Sequence, residues 1–301
     1  MNARIYAKKA SNYGYISADP LPSEQDLTEH YSSKYYNAPS TSTYQTGYTD
    51  EEIQQKELRA QLVVHSLQHA YGKSLAGKCL FEVGYGEGFI LDSAQKAGLE
   101  ISGVDFTNAG VMRMNPHLNS FVAAENAYNH LDTLVKSNKK FDFCVMQNVL
   151  EHVIDPDKLL VSMKSLIKPD GLLLINVPND FSRLQKLALD RGYIDREFWF
   201  GPVEHLHYFN TENLPLYVQS LGFDVLDMYG DFPIDIFLLN KHSNYVMDKS
   251  KGKDSHKARV VLDLLMAEHG IEAYHHFCQA MSGVGIGRNV CVIGRLSKKQ
   301  G

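Results

Sequence analysis

Three glycines at alternate positions, Gly84, Gly86 and Gly88, follow the apolar, β-prone run Cys79 to Val83 and precede a helix-compatible pattern that opens at Phe89. Few sequence features restrict a fold more. Glycine reaches backbone conformations of positive φ and lets a ligand come up against the main chain. A strand-to-helix turn also leaves unbonded N–H groups aimed at whatever lies beyond the helix start. The spacing separates the candidate ligands. A dinucleotide fingerprint, G-x-G-x-x-G, would need its third glycine where this chain has Phe89. A P-loop would need a Gly-Lys-Ser/Thr ending, which does not follow here. What stands instead is Glu82-x-Gly84-x-Gly86-x-Gly88, with an acid two residues ahead of the first glycine.

The surrounding pattern alternates strands with helices. Thr49-Asp50-Glu51-Glu52 opens a helix to about Tyr71, with Leu58 and Leu62, then Val63 and Leu67, on one face. A helix from Phe89 to Lys96 stops at Gly98, and Ile101 to Asp105 reads as the next strand, ending in an acid. Leu118 to Val122 predicts a short strand, Ala127 to Ser137 a helix, and Phe141 to Met146 a buried strand. Lys158 to Ile167 is amphipathic, Lys168 to Gly171 reads as a turn, and Leu172 to Val177 as a strand. A helical insertion spans Phe181 to Phe200 and ends in the aromatic run Phe198-Trp199-Phe200, whose expected role is core packing. Thr211 is placed to cap a helix to Leu221, a strand opens at Gly222, and a final strand runs from Val290 to Leu296. This alternation predicts an α/β sheet, mostly parallel, with helices on both faces. Ligands of such sheets bind beyond the carboxyl ends of the strands, where Gly84, Asp105, Gln147 and Asn176 all fall.

The glycine motif resembles the first motif of class I S-adenosylmethionine (SAM) methyltransferases. Two further runs strengthen the likeness: Asn148-Val149-Leu150-Glu151-His152-Val153 with Asp155-Pro156, and Glu204-His205-Leu206-His207-Tyr208-Phe209. The latter, with the lead-in Pro20-Leu21-Pro22-Ser23-Glu24, resembles glycan and nucleotide-sugar methyltransferases. The resemblance covers roughly residues 20–230 plus the last strand. It implies a Rossmann-like class I fold with a seven-stranded, mostly parallel sheet, the last strand inserted antiparallel. The cofactor it implies is SAM, held by Glu82, Gly84, Tyr85, Gly86 and Gly88, by Asp105 and Phe106 at ribose and adenine, by Glu125 and Asn126 at the adenine edge, and by Gln147 and Asn148.

Methyl transfer from a sulfonium is an in-line displacement, so the protein has to align the acceptor and remove its proton. Glu204-His205 is the leading base candidate, the carboxylate orienting the ring, and His152 is the second. Relatives that methylate sugar carbon carry a tyrosine two residues before this Glu. Pro202 stands there, which shifts the expectation to oxygen, with nitrogen next. His205 and His207 would share one face of an extended segment. With Glu204 they have spacing that permits a metal, but no third convergent ligand is evident and none is expected. The small polar acceptor implied is a sugar or nucleotide-linked sugar of surface-polysaccharide or secondary metabolism. A quinone or lipid O-methyltransferase, which would share the Leu-Glu-His run, is the alternative; a non-catalytic SAM-fold scaffold would bind cofactor without turnover.

Three segments result: an N-terminal cap or flap (1–50, rich in Tyr, with a short helix expected from Ser23 to Tyr31), a methyltransferase domain (51–230 plus 289–301) and a helical insertion (231–288). Lys257 to Met281 is helical apart from a break at Gly270, and its length suits a lid or a homodimer contact. Tyr245, His256 and Arg259 are the insertion's candidates to contact a phosphate-bearing acceptor. The net charge of −5 offers no overall field for nucleic acid, and no apolar run approaches the roughly 20 residues that span a bilayer. Cys79, Cys144, Cys278 and Cys291 form no C-x-x-C pair, and a reducing, cytoplasmic setting is the simplest expectation.

Overall fold

The computed structural model describes residues 6–23, 47–202 and 204–298. The helix expected to reach Tyr31, together with Tyr35, Tyr36 and Tyr44, lies outside these residues. In chain order the elements are β1 (Ala7–Ala10), β2 (Ile16–Asp19), α1 (Asp50–Tyr71), β3 (Cys79–Val83), α2 (Phe89–Lys96), β4 (Glu100–Asp105), α3 (Ala109–Met114), β5 (Val122–Ala124), α4 (Ala127–Lys136), β6 (Phe141–Gln147), α5 (Pro156–Leu166), β7 (Ile167–Pro178), α6 (Arg183–Asp190), β8 (His207–Tyr208), α7 (Asn213–Ser220), β9 (Phe223–Tyr229), α8 (Gly252–Met266), α9 (Ile271–Gly283) and β10 (Asn289–Leu296).

Seven strands form one sheet in the order β5-β4-β3-β6-β7-β10-β9. The pairs β4/β5, β3/β4, β3/β6 and β6/β7 are parallel, while β10 runs antiparallel between β7 and β9. The expected fold class is therefore the one observed. Strands buried on both faces read as continuous apolar runs, and β6 does so from Phe141 to Met146. Its alternate residues serve opposite faces. Phe143 and Val145 join a core with Leu67 of α1, Leu91 of α2 and Tyr274 and Cys278 of α9. Cys144 and Met146 join a second core with Leu159 and Met163 of α5 and Leu214 and Tyr217 of α7. A smaller cluster gathers Trp199, Ile194, Leu238 and Val246, so the tryptophan is core.

Local chemistry sets the boundaries. Thr49 and Glu52 form a reciprocal capping box at the start of α1, and Gly72 ends it at φ +70°. Three expectations are corrected. Residues Pro116–Phe121 form a 3-10 turn, opened by Pro116 and anchored by buried Leu118, and the strand begins only at Val122. Lys168 to Gly171 is not a free turn but a bulge inside β7: Ile167 opposes Phe141, pairing resumes at Leu172 opposite Phe143, and Lys168 Nζ bonds Asp142 Oδ2 at 2.7 Å. The start of α7 is capped by Asn210, whose Oδ1 accepts the amides of Glu212 (2.9 Å) and Asn213 (3.0 Å), not by Thr211.

A three-stranded sheet, β1-β2-β8, pairs Ile16 with Tyr208 and Ser17 with His207. It ties the N-terminal hairpin to the segment that carries His205. From the insertion, α9 lays His275 against β9, its Nε2 2.8 Å from Asp227 Oδ2. The His275 ring also meets those of His65 (5.3 Å) and His69 (5.5 Å) on α1.

Burial, with neighbouring His275 and His69, holds the His65 imidazole below its ordinary value of 6.5. A depressed base contributes stability that is present above its unfolded-state pKa and lost as pH falls below it. The thermal midpoint should therefore drop between about pH 7.5 and about pH 5, and drop less in His65→Gln. Equal drops in the two proteins would show that the histidine cluster does not couple α9 to α1.

Candidate active site

The glycine loop leaves β3 with Gly84 at φ +76°, Gly86 at +52° and Gly88 at +81°, all in the left-handed region. Space demands glycine as well. A Cβ on Gly84 would lie 2.3 Å from Val149 Cγ2, and one on Gly110 would lie 2.5 Å from the Gly86 carbonyl oxygen. Gly110, unnoticed in the sequence, is what lets α3 come up against the loop. Glu87 occupies a variable position of the motif, yet it is buried and braced from both sides. Its carboxylate accepts Tyr48 Oη (2.9 Å), Lys56 Nζ (3.0 Å) and Arg113 Nη2 (2.6 Å), and Asn115 Nδ2 bonds its carbonyl (2.9 Å).

The remaining cofactor candidates fall along one edge. Glu82 is buried, and its Oε2 has no hydrogen-bond partner among the described residues. Burial, then the charge of Asp105, holds its pKa well above the usual carboxylate range. Asp105 Oδ2 accepts the Gly86 amide at 2.9 Å, so this acid also holds the loop. Phe106 beside it, just past the strand end, is 61 % exposed. Tyr85 is a correction: its side chain is 3 % exposed, lies in the core with Leu91 and Val111, and bonds the Ala123 carbonyl (3.3 Å). Only its backbone belongs to the loop surface. Glu125 and Asn126 stand at the end of β5 but are engaged locally. Glu125 pairs with His130 Nδ1 (2.6 Å), and Asn126 caps α4 by accepting the Tyr128 and Asn129 amides. Gln147 ends β6, and Asn148 at φ +53° donates its amide to the Asn176 carbonyl (2.8 Å).

The imidazoles gather beside that edge. The rings of His152 and His205 stand edge to face, centroids 4.9 Å apart. Glu204 was the expected orienting carboxylate, but Asp180 holds that place, with its Oδ2 3.5 Å from His205 Nδ1. Glu204 is exposed and contributes its backbone carbonyl, 2.6 Å from His152 Nδ1. Glu204 sits in a turn, its amide and that of His205 both bonding the Gly201 carbonyl (3.0 Å each), and its side chain stays exposed, whereas Asp180 arrives from the end of β7. His207, expected on the face of His205, is buried elsewhere, with Nδ1 on Ser17 Oγ (2.8 Å) and Nε2 on the Val153 carbonyl (3.0 Å).

Asp180 is buried and bonded by Arg288 Nη1 at 3.0 Å. Burial would raise its pKa, but Arg288 and His205 outweigh burial and keep it low. Burial alone would lower the His205 imidazole; Asp180 and Glu151 outweigh it, and the pKa is raised. Glu151 was missed as a chemical group. It is 1 % exposed, neither carboxylate oxygen has a hydrogen-bond partner among the described residues, and burial pushes its pKa up to about 7. Its carbonyl accepts the amides of Leu206 (2.7 Å) and His207 (3.2 Å), which fixes the His205 segment over it. One ligand atom each from Glu151, His152 and His205 falls within 4.8 Å of the others. Three donors so placed can hold a cation as well as move a proton, whereas Glu204, His205 and His207, at which no metal was expected, do not form such a group.

The sheet order and the glycine loop at the end of β3 define a class I SAM-dependent methyltransferase. The sequence profile of the family described as a methyltransferase domain matches residues 54–228, and the chain belongs to that family. Among curated proteins it is similar to the ubiquinone biosynthesis O-methyltransferase of Actinobacillus pleuropneumoniae, 28% identical over 156 residues that cover 46% of this chain and 67% of the relative. The protein of the same description from Coxiella burnetii is 25% identical over 159 residues, covering 52% and 68%. In structure the chain is similar to the 1,6-didemethyltoxoflavin-N1-methyltransferase of Burkholderia thailandensis, with a TM-score of 0.52, 12% identity and coverage of 97% of this chain and 99% of that one. That likeness is one of fold.

The residues fit the cofactor. The orphaned Glu82 oxygen suits a cationic amino group, and the exposed Phe106 ring suits a flat base. Gly84→Ala should cost about 2 kcal/mol of stability or more and weaken S-adenosylhomocysteine binding, measured by unfolding and calorimetry. Wild-type values for both would show that Val149 yields without consequence.

Proposed function

We propose that this protein transfers the methyl group of SAM to a hydroxyl oxygen of a small aromatic acceptor, with His205 as the base. The observation that carries the reading is the pairing of buried Asp180 with half-buried His205 beside Glu151. Bound SAM supplies the methyl group and a neutral thioether as leaving group. The chain's task is then to position the hydroxyl and take its proton. With the Asp180 carboxylate at Nδ1, that nitrogen carries the proton of neutral His205, and Nε2 holds the accepting lone pair. Proton transfer leaves an imidazolium between two carboxylates, Asp180 and Glu151, which stabilise it. The Glu204 carbonyl at His152 Nδ1 fixes that ring's tautomer in the same way, with Nε2 3.7 Å from Glu151 Oε1.

The acceptor class leans on the curated relatives, whose described activity is O-methylation in ubiquinone biosynthesis. They favour a phenol-like hydroxyl over the sugar that the Glu-His run suggested. Tyr208, with its ring 6.4 Å from that of His205, is buried against Phe181 and Phe200 and backs the imidazole from behind.

His205→Ala should slow turnover by about 10²-fold or more while cofactor affinity stays intact; unchanged turnover would move the base elsewhere. Asp180→Asn removes a group that raises the His205 pKa. The acidic limb of kcat/KM should therefore shift to lower pH, with a lower plateau. Release of S-adenosylhomocysteine should be screened with catechols beside nucleotide sugars. Turnover confined to the sugars would overturn the aromatic reading. Activity lost to a chelator and restored by a divalent cation would reassign the trio to metal binding.

A further inference from the structure

Three guanidinium groups lie within reach of one another's charge: Arg59 from α1, Arg259 from α8, and Arg288 just ahead of β10. The carboxylates around them already accept other donors, and Asp235, which faces Arg288, takes Gln185 Nε2 (3.0 Å) and Tyr245 Oη. Asp263 accepts Gln55 Nε2 (2.6 Å), Arg59 Nη2 (3.1 Å) and Tyr274 Oη (2.9 Å). Asp231 accepts Arg59 Nη2 (3.0 Å) and the Asn289 amide (2.7 Å), and Asp180 is shared by Arg288 and His205. Arg259 has no carboxylate partner among the described residues. Its Nη2 meets His256 Nδ1 at 2.8 Å, and the far nitrogen of that ring faces Glu52 (3.1 Å). The Nε atoms of both Arg59 and Arg259 are buried without an acceptor among the described residues. Buried donors with no acceptor are costly, and each of these could take an oxygen ligand.

We propose that Arg259, backed by Arg59 and Arg288, is an oxyanion subsite that holds a carboxylate or phosphate carried by the methyl acceptor. This rests on the reading of His205 as the base, since Arg288 bonds Asp180 and Asp180 holds His205, which puts Arg288 beside the reaction centre and Arg259 within reach of its charge. Guanidinium groups bind such anions through paired N–H donors with a fixed geometry. Burial, then the charge of Arg59, holds the Arg259 pKa down to about 10, a penalty that a bound anion relieves. The insertion then supplies acceptor selection to a domain that already binds the cofactor.

The test is calorimetry on the full chain loaded with S-adenosylhomocysteine. The probes are phenol, 4-hydroxybenzoate, 4-hydroxyphenyl phosphate and inorganic phosphate. At least one anionic phenol should bind about tenfold or more tightly than phenol, and the preferred one tells carboxylate from phosphate. Arg259→Gln should remove that preference and leave S-adenosylhomocysteine affinity unchanged; Arg259→Lys, which keeps the charge, should restore part of it. Equal binding of neutral and anionic probes, or a preference that survives Arg259→Gln, overturns the subsite and leaves Arg259 as a brace between α8 and α1. Phosphate binding that depends on Arg259, without affinity for any phenol, would keep the subsite and overturn the aromatic acceptor. Turnover of neutral catechols without anion binding would do the reverse.

Discussion

Everything at the cleft depends on how closely other backbone approaches the loop after β3. Gly84, Gly86 and Gly88 all take left-handed conformations, and the spaces that side chains on Gly84 and Gly88 would need are filled by Val149, and by Leu118 with Val111 of α3. That fit fixes the end of β3 against the exit of β6, so the cofactor edge and the Glu151-His152 segment form one rigid unit. Tyr48, Lys56 and Arg113 lock the unit through Glu87, and the Asp105 carboxylate closes it from β4.

The groups of the proposed base site are assembled differently, from segments far apart in sequence. Glu151 and His152 follow β6, Asp180 follows β7, His205 sits ahead of β8, and Arg288 precedes β10. Glu151 links two of these with both ends: its carbonyl seats the amides of Leu206 and His207, and its carboxylate faces the imidazoles. The N-terminal hairpin finishes the arrangement by pairing with β8 and bonding His207. His207 thus belongs to the scaffold that aims its neighbour.

The sequence made the sheet, the glycine loop and the strand-end acids legible because each is written in local pattern: apolar periodicity, glycine spacing, an acid closing a strand. It misjudged the turn at Lys168 because a bulge depends on the opposing strand, here on Asp142 reaching a lysine across the ladder. It gave His205 the wrong carboxylate for a related reason. Glu204 is adjacent in the chain and Asp180 is adjacent in space, and only the return of β7 to the same edge makes the second matter more. The environment of Glu151 was equally unreadable, since burial is a property of the packed molecule. The guanidinium cluster had a partial signal in Arg259 of the insertion, but its companions Arg59 and Arg288 lie on either side of it in the chain.

The antiparallel strand β10 lies between β7 and β9 rather than at a margin. Until residues 289–296 slot in, two neighbouring strands each offer an open ladder to solvent, or to another chain. Without it the five strands β5-β4-β3-β6-β7 stay paired and β9 alone is parted from them, so β10 is the one strand that joins β9 to the rest. The same strand brings Arg288 to Asp180, so closing the sheet and seating the partner of His205's carboxylate are one event.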